Sequence, residues 1–233
     1  MKIAVLYAGI SKGLLENRDF DHCYPNHLRT FLEFLNKEHS VELYFCSYDT
    51  PEFQPMVEKY QPKKSLSVPY ENSNQIQTRI KSLELIMNED VDFVIWLRYD
   101  LHFLKKFEDW NLNFEKFNIV SKEGNHWFYN QYTNDTFFAF PHSMTKKVLE
   151  STKSLYEMKL QNYLHNSHQN YHITHMHNLY GTLINFIPET SIHFMFDNHQ
   201  CSGHEFNSIC SNTYVKNWKN SWPIDSEVLE RFS

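Results

Sequence analysis

The sequence predicts a single α/β domain built on a mostly parallel central sheet that is flanked by helices. Strand-like segments occupy residues 2–8, 41–46 and 91–97, residues 65–69 suit a short third strand, and helical patterns lie between them. After a strand and a helix, the chain usually forms a second strand that lies parallel to the first. This alternation therefore predicts crossover connections. A length of 233 residues suits one such domain.

The predicted helices follow from the spacing of apolar residues. Pro25 and Asn26 are expected to open a helix after an irregular stretch, because proline suits the first turn. Apolar residues at helical spacing predict a clear helix over residues 74–88, and shorter or weaker patterns predict others at 56–60, 144–160 and 178–187. Further strands are expected at residues 118–121 and 137–140, where the second half of the chain completes the sheet.

Composition excludes several classes of protein. Hydrophobic residues make up 41% and aromatic residues 16%, which is typical of a globular chain. A formal net charge of -6 argues against nucleic acid as a partner. Four cysteines without a C-x-x-C pair form no disulfide framework. The first ten residues suit a buried strand better than a signal peptide, and no apolar stretch predicts a membrane span, so we expect a cytoplasmic protein.

Candidate functional residues follow three of the predicted strands. They are Ala8, Gly9 and Ile10 after the first, Tyr48 and Asp49 after the second, and Arg98, Asp100 and His102 after the fourth. Ligands of open α/β sheets bind at the carboxyl ends of the strands, so we expect one site there. Asp100 and His102 are suitable ligands for Mn²⁺ or Mg²⁺. The alternative is that Asp100 caps the next turn and pairs with Arg98.

Two segments resemble the GT-A glycosyltransferases. Residues 72–79 combine asparagines and glutamines with Arg79, and a helix and an apolar strand that ends Arg-Tyr-Asp follow them. Residues 2–10, followed by Arg18, are similar to the first nucleotide-binding strand and loop of these enzymes. The resemblance is to the small glycosyltransferase domains of large algal, chlorella-type DNA viruses, and the host cytoplasm would then be the location. It covers about the first 140 residues.

The resemblance implies a nucleotide-sugar donor, expected to be a UDP-sugar, and a glycan or glycoprotein acceptor. The nucleoside would lie at the first two strand ends, Arg18 and Arg79 would face the diphosphate, and Asp100 would occupy the metal-binding position of the family's D-x-D motif. This sequence departs from that motif, since Arg98 and His102 flank Asp100. Residues 1–103 would form the nucleotide-binding half, and residues 104–233 the acceptor-binding half.

The predicted activity is therefore hexosyl or deoxyhexosyl transfer, metal-assisted and with inversion of configuration. Either His177 or Asp135 would act as the base that takes the acceptor proton. His177 precedes the predicted helix at 178–187, and Asp135 enters an aromatic strand, although it is equally suited to a turn.

Two other functions fit parts of the sequence. A metal-dependent hydrolase would use the histidine-rich stretch, in which His168, His172 and His175 share helical spacing. A non-catalytic carbohydrate- or nucleotide-binding module would use aromatic loops such as residues 127–129 for stacking on sugars. A structural zinc site formed by His199, Cys201, His204 and Cys210 fits no standard ligand spacing.

Overall fold

A computed structural model describes residues 1–9, 20–69, 75–103, 105–121, 133–160, 184–188 and 194–196. Its strands are β1 (Lys2–Gly9), β2 (Ser40–Tyr48), β3 (Lys64–Val68), β4 (Phe93–Leu97), β5 (Leu101–Phe103), β6 (Phe117–Ser121), β7 (Thr133–Pro141), β8 (Ile184–Pro188) and β9 (Phe194–Phe196). Its α-helices are α1 (Phe20–His27), α2 (Glu33–Glu38), α3 (Phe53–Tyr60), α4 (Gln75–Ile86) and α5 (Thr145–Leu160). A π-helical segment, Leu28–Leu32, joins α1 to α2.

Seven of these strands form one mixed sheet in the order β3-β2-β1-β4-β7-β6-β8. The pairs β3-β2, β2-β1, β1-β4 and β6-β8 are parallel, and β7 runs antiparallel to both β4 and β6. The predicted α/β class with a mostly parallel central sheet is therefore confirmed. Strands β5 and β9 form a separate antiparallel pair.

Each face of the sheet is covered by helices, and alternate residues of β1 point to opposite faces. Ile3, Val5 and Tyr7 pack with residues of α1, α2 and α3. Ala4 and Leu6 pack with residues of α4 and α5 on the other face. This period of two, with both faces apolar, is typical of a central strand in a parallel sheet.

The sequence-based prediction is wrong about the start of the first helix. The helix begins at Phe20, and Pro25 lies inside it. Phe20 and Cys23 are buried in the structure, and their burial favours helix before the proline. Because proline has no N–H group, the Asp21 carbonyl one turn earlier does not receive the usual helical hydrogen bond from residue 25.

The predicted helix at residues 178–187 is also wrong where the structure describes it. Residues 184–188 form β8, which pairs in parallel with β6 over the whole length of that strand. Ile184, Phe186 and Ile187 have high strand propensity, and Pro188 ends the run. Pairing at the sheet edge therefore prevails over the helical spacing of the apolar residues.

A charged network lies on the side of the sheet where β3 begins. Lys63 contacts both Glu42 and Glu89 at 2.8 Å, and Lys64 also pairs with Glu89. The Tyr44 hydroxyl donates to Glu89 at 2.8 Å. Hydrogen bonds from Lys63 and then Lys64 lower the pKa of Glu89 to about 2.

This network predicts a loss of stability in acid. The folded-state pKa of Glu89 lies below its unfolded value of about 4.3, so its contribution is present above that value and is lost as the pH falls towards about 2. We expect Glu89→Gln to lower the free energy of unfolding at pH 7 by about 1–2 kcal/mol and to flatten its acid dependence. Urea unfolding between neutral and acid pH measures both effects. Asp90→Asn is the control, because the Asp90 side chain is fully exposed, and an equal effect of the two variants would contradict the prediction.

Candidate functional site

The chain reverses its direction of strand addition between β1 and β4. Strands β2 and β3 are added on one side of β1, and β4 lies on its other side. The helices of the two sets of connections cover opposite faces, so the carboxyl ends of β1 and β4 lie at a topological switch point, where open α/β sheets have a crevice. In open α/β sheets such a switch point is where ligands bind.

Gly9 ends β1 at this crevice and adopts a conformation that suits glycine. Its φ of 121° lies in the region that residues with a Cβ atom rarely occupy. A Cβ atom added to Gly9 would lie 3.9 Å from Cγ of Arg98, so space alone would allow it. The short distance shows that the end of β1 and the residue after β4 are direct neighbours.

Arg98 and Asp100 form a two-pronged ion pair just beyond β4. Nε of Arg98 donates to Oδ1 of Asp100 at 2.9 Å, and Nη2 donates to Oδ2 at 2.5 Å. The Asp100 side chain is 5% exposed, and that of Arg98 is 27% exposed. The Asp100 carboxylate is thus buried and the Arg98 side chain is the more exposed partner, in agreement with the alternative that paired Asp100 with Arg98.

As arranged, the described residues do not fit a divalent cation. Magnesium and manganese need several oxygen or nitrogen ligands, and both oxygens of Asp100 accept hydrogen bonds from Arg98. Within the described residues, no group of three or more histidine, cysteine, aspartate or glutamate side chains could hold a metal ion. The backbone of His102 lies in β5, and its side chain is outside the described structure. The metal at Asp100 and His102 stays a prediction.

The segment after Asp100 is fixed by two residues of α1 that the sequence analysis did not identify. The side-chain amide of Asn26 donates to the Phe103 carbonyl at 3.0 Å, and the Phe103 N–H donates to Oδ1 of Asn26 at 2.8 Å. His27 donates from Nε2 to the Leu101 carbonyl at 2.6 Å. Asn26 thus pairs with β5 as a neighbouring strand would, and the position of Asp100 depends on α1.

The imidazole of His27 is also joined to β1. The Tyr7 hydroxyl donates to Nδ1 of His27 at 3.1 Å, and the two rings stack with centroids 5.5 Å apart. Burial raises the pKa of Tyr7 well above its usual value, so the hydroxyl stays protonated and can donate. Because a carbonyl only accepts, Nε2 must carry a proton, and the neutral ring then accepts at Nδ1. No sequence pattern marks this pair, since Tyr7 and His27 are 20 residues apart.

The other residues predicted to bind the donor lie in different environments. Ala8 and Tyr48 are buried at their strand ends, and Asp49 is exposed, with its N–H donating to the Val68 carbonyl at 2.7 Å. Arg79 is buried on α4, with its guanidinium carbon 5.9 Å from the ring centre of Trp96 and 5.8 Å from that of Phe138. A buried arginine over two rings is unlike a solvated surface residue.

The two predicted bases are described to different extents. The backbone of Asp135 lies in β7, two residues before Phe137, which pairs with Leu97 at the carboxyl end of β4. Asp135 is thus at the same edge as Arg98 in the strand register.

Several residues that the sequence singles out lie outside the described residues. They are Ile10, Arg18, His177, the histidine-rich stretch, residues 127–129 and Cys201 with its neighbours.

Comparison with known proteins gives a likeness in fold only. No family model matches the chain, and no curated protein matches it by sequence. Two crystal structures of the glycosyltransferase GlyE from Streptococcus pneumoniae TIGR4, one of them the apo form, are similar with TM-scores of 0.45 and identities of 11% and 10%. Each alignment covers 82% of this chain and 46% or 45% of GlyE, so the chain spans less than half of that protein.

The part of the chain that the structure describes includes no helix long and apolar enough to cross a membrane.

Proposed function

We propose that this chain is a glycosyltransferase that moves a sugar from a nucleotide diphosphate donor, a UDP-sugar, to a hydroxyl group of a glycan. The switch point between β1 and β4 carries the proposal. It brings a glycine, whose missing Cβ allows close approach to the backbone, next to a partly exposed arginine side chain. This combination suits a nucleotide whose diphosphate must lie close to the main chain.

Further residues at the same edge support a division of roles. Tyr48 and Asp49 end β2, the neighbour of β1, where a nucleoside would extend from the diphosphate. Asp135 enters β7 on the other side of β4, where an acceptor hydroxyl would approach. The resemblance of residues 2–10 and 72–100 to the GT-A enzymes supports the same assignment.

In the proposed reaction the acceptor oxygen forms a bond to the anomeric carbon of the donor sugar. The bond from that carbon to the diphosphate oxygen breaks, and its electron pair leaves with the nucleoside diphosphate. The proton of the acceptor hydroxyl passes to the base, which is Asp135 or His177. Hydrogen-bond donors at the leaving diphosphate lower the barrier, because negative charge builds up there in the transition state.

The first test is a thermal-shift and calorimetric comparison of UDP, GDP and their common sugar conjugates, each in EDTA and in Mn²⁺. A ligand at a hundredfold excess over its Kd stabilises the folded state by about 2.7 kcal/mol, which raises the Tm of a chain of this size by about 5–10 °C. We expect one nucleoside diphosphate to raise the Tm by this amount, and its free nucleoside to raise the Tm less. If no nucleotide raises the Tm in either buffer, the proposed function is wrong.

A further inference from the structure

In the ion pair between Arg98 and Asp100, the cationic side chain is the more exposed of the two partners. Both carboxylate oxygens of Asp100 accept from the guanidinium, and the Asp100 side chain is the more deeply buried of the two. A guanidinium has five N–H groups in a rigid plane, and the two bonds to Asp100 fix the orientation of that plane. The pair therefore presents an oriented donor group at the crevice.

A divalent cation at this site would share the two Asp100 oxygens with Arg98. It would weaken two charge-assisted hydrogen bonds, which are among the stronger hydrogen bonds in proteins. It would also bring a second cationic centre within a few ångströms of the guanidinium. The site thus already contains a positive group where a metal ion would be needed.

We propose that Arg98, oriented by Asp100, is the cation that binds the diphosphate of the donor, and that the site works without a divalent metal ion. This inference rests on the proposed function. Arg98 contacts the substrate, and Asp100 is a positioning residue that acts through Arg98. The planar guanidinium can hold two phosphate oxygens with parallel N–H groups in a fixed fork, a geometry that a lysine ammonium does not offer.

The position of Arg98 beside Gly9 supports this assignment. Cγ of Arg98 lies 3.9 Å from where a Cβ of Gly9 would be, so the guanidinium is carried at the junction of β1 and β4. Because Asp100 offsets the charge of Arg98, the pair is formally neutral, and recognition depends on directed N–H groups more than on net charge.

The experiment compares calorimetric Kd values of UDP, GDP and uridine in EDTA and in Mn²⁺. We expect the Kd of the bound nucleoside diphosphate to agree within about twofold between the two buffers, because the protein supplies the cation. Arg98→Gln with Asp100→Asn is the matched variant: it keeps a polar pair of similar shape and the same formal charge of zero, and it leaves no buried carboxylate unpaired. We expect the double variant to raise the Kd of the nucleoside diphosphate at least about tenfold in both buffers, because one or two charge-assisted hydrogen bonds are lost. The Kd of uridine should change little.

The possible outcomes separate this inference from the proposed function. Binding that requires Mn²⁺ in the wild type, or a double variant that binds as well as the wild type, would overturn the role of Arg98 and leave the transferase proposal standing. No binding of either nucleoside diphosphate in either buffer would overturn both. Arg98→Lys adds a check on geometry, since it keeps the charge but not the two-pronged pair, and it should fall between the wild type and the double variant. A Tm measurement on each variant verifies that it is folded.

Discussion

Replacing Trp110 by alanine is expected to lower the free energy of unfolding by about 3–5 kcal/mol, the largest effect that we expect from any single substitution. Its side chain is fully buried, and Nε1 donates to the Lys105 carbonyl at 2.9 Å. The indole packs against Phe103 with ring centres 4.5 Å apart, and also against the rings of Phe31, Phe107 and Phe137, at 5.3–5.5 Å. Alanine would leave a cavity among four rings that cannot collapse into it together.

Urea unfolding followed by far-ultraviolet circular dichroism measures this loss without using tryptophan emission. Trp110→Phe is the matched control, because it keeps an aromatic ring in the cavity and loses the hydrogen bond to Lys105. We expect the phenylalanine variant to lose about 1–2 kcal/mol. Equal losses in the two variants would show that the hydrogen bond, and not the ring packing, accounts for the stability.

The second large effect is expected for His27→Ala, at about 3 kcal/mol or more. The substitution removes a buried ring and takes away the partner of the Tyr7 hydroxyl and of the Leu101 carbonyl. A buried polar group that loses its hydrogen-bond partner costs about 1–3 kcal/mol. Because Leu101 follows Asp100 directly, we also expect weaker binding of the nucleoside diphosphate.

A double-mutant cycle with Tyr7→Phe separates the two causes of the loss. In the His27→Ala background the phenylalanine removes the hydroxyl that has lost its partner, so the double variant should be about 1–2 kcal/mol more stable than His27→Ala alone. In the wild-type background the same change should destabilise the protein. If Tyr7→Phe has the same effect in both backgrounds, the hydrogen bond between Tyr7 and His27 contributes nothing measurable to stability.

The sheet and its edge could be predicted from the sequence because their signals are local. Buried strands such as β1 and β4 are almost continuous apolar runs, and the polar residues that follow them mark their carboxyl ends. Neighbouring parallel strands bring those ends together whatever the details of packing. For that reason Gly9, Arg98 and Asp100 could be assigned to one site before the structure was known.

The parts that could not be predicted depend on partners distant in sequence. Asn26 is 77 residues from the backbone groups of Phe103 that it satisfies, and nothing near either residue indicates the other. The helix around Pro25 is stabilised by the burial of Phe20 and Cys23. The expectation that proline opens a helix does not take this burial into account. The strand at residues 184–188 exists because β6 offers it an edge, and propensity alone does not decide between helix and strand there.

Strand β7, which runs against the other described strands of the seven-stranded sheet, affects how the chain can be divided. It is hydrogen-bonded to β4, from the first hundred residues, and to β6, from the later part of the chain. A fragment that stopped near residue 103 would lack β7 and would leave unpaired the edge of β4 that β7 occupies. An exposed apolar strand edge invites pairing with other copies of the chain. Strand β7 thus joins residues 1–103 to the later part of the chain within one sheet. We expect an exchange of either region for that of a related chain to succeed only if β7 is moved together with the region that contains β4.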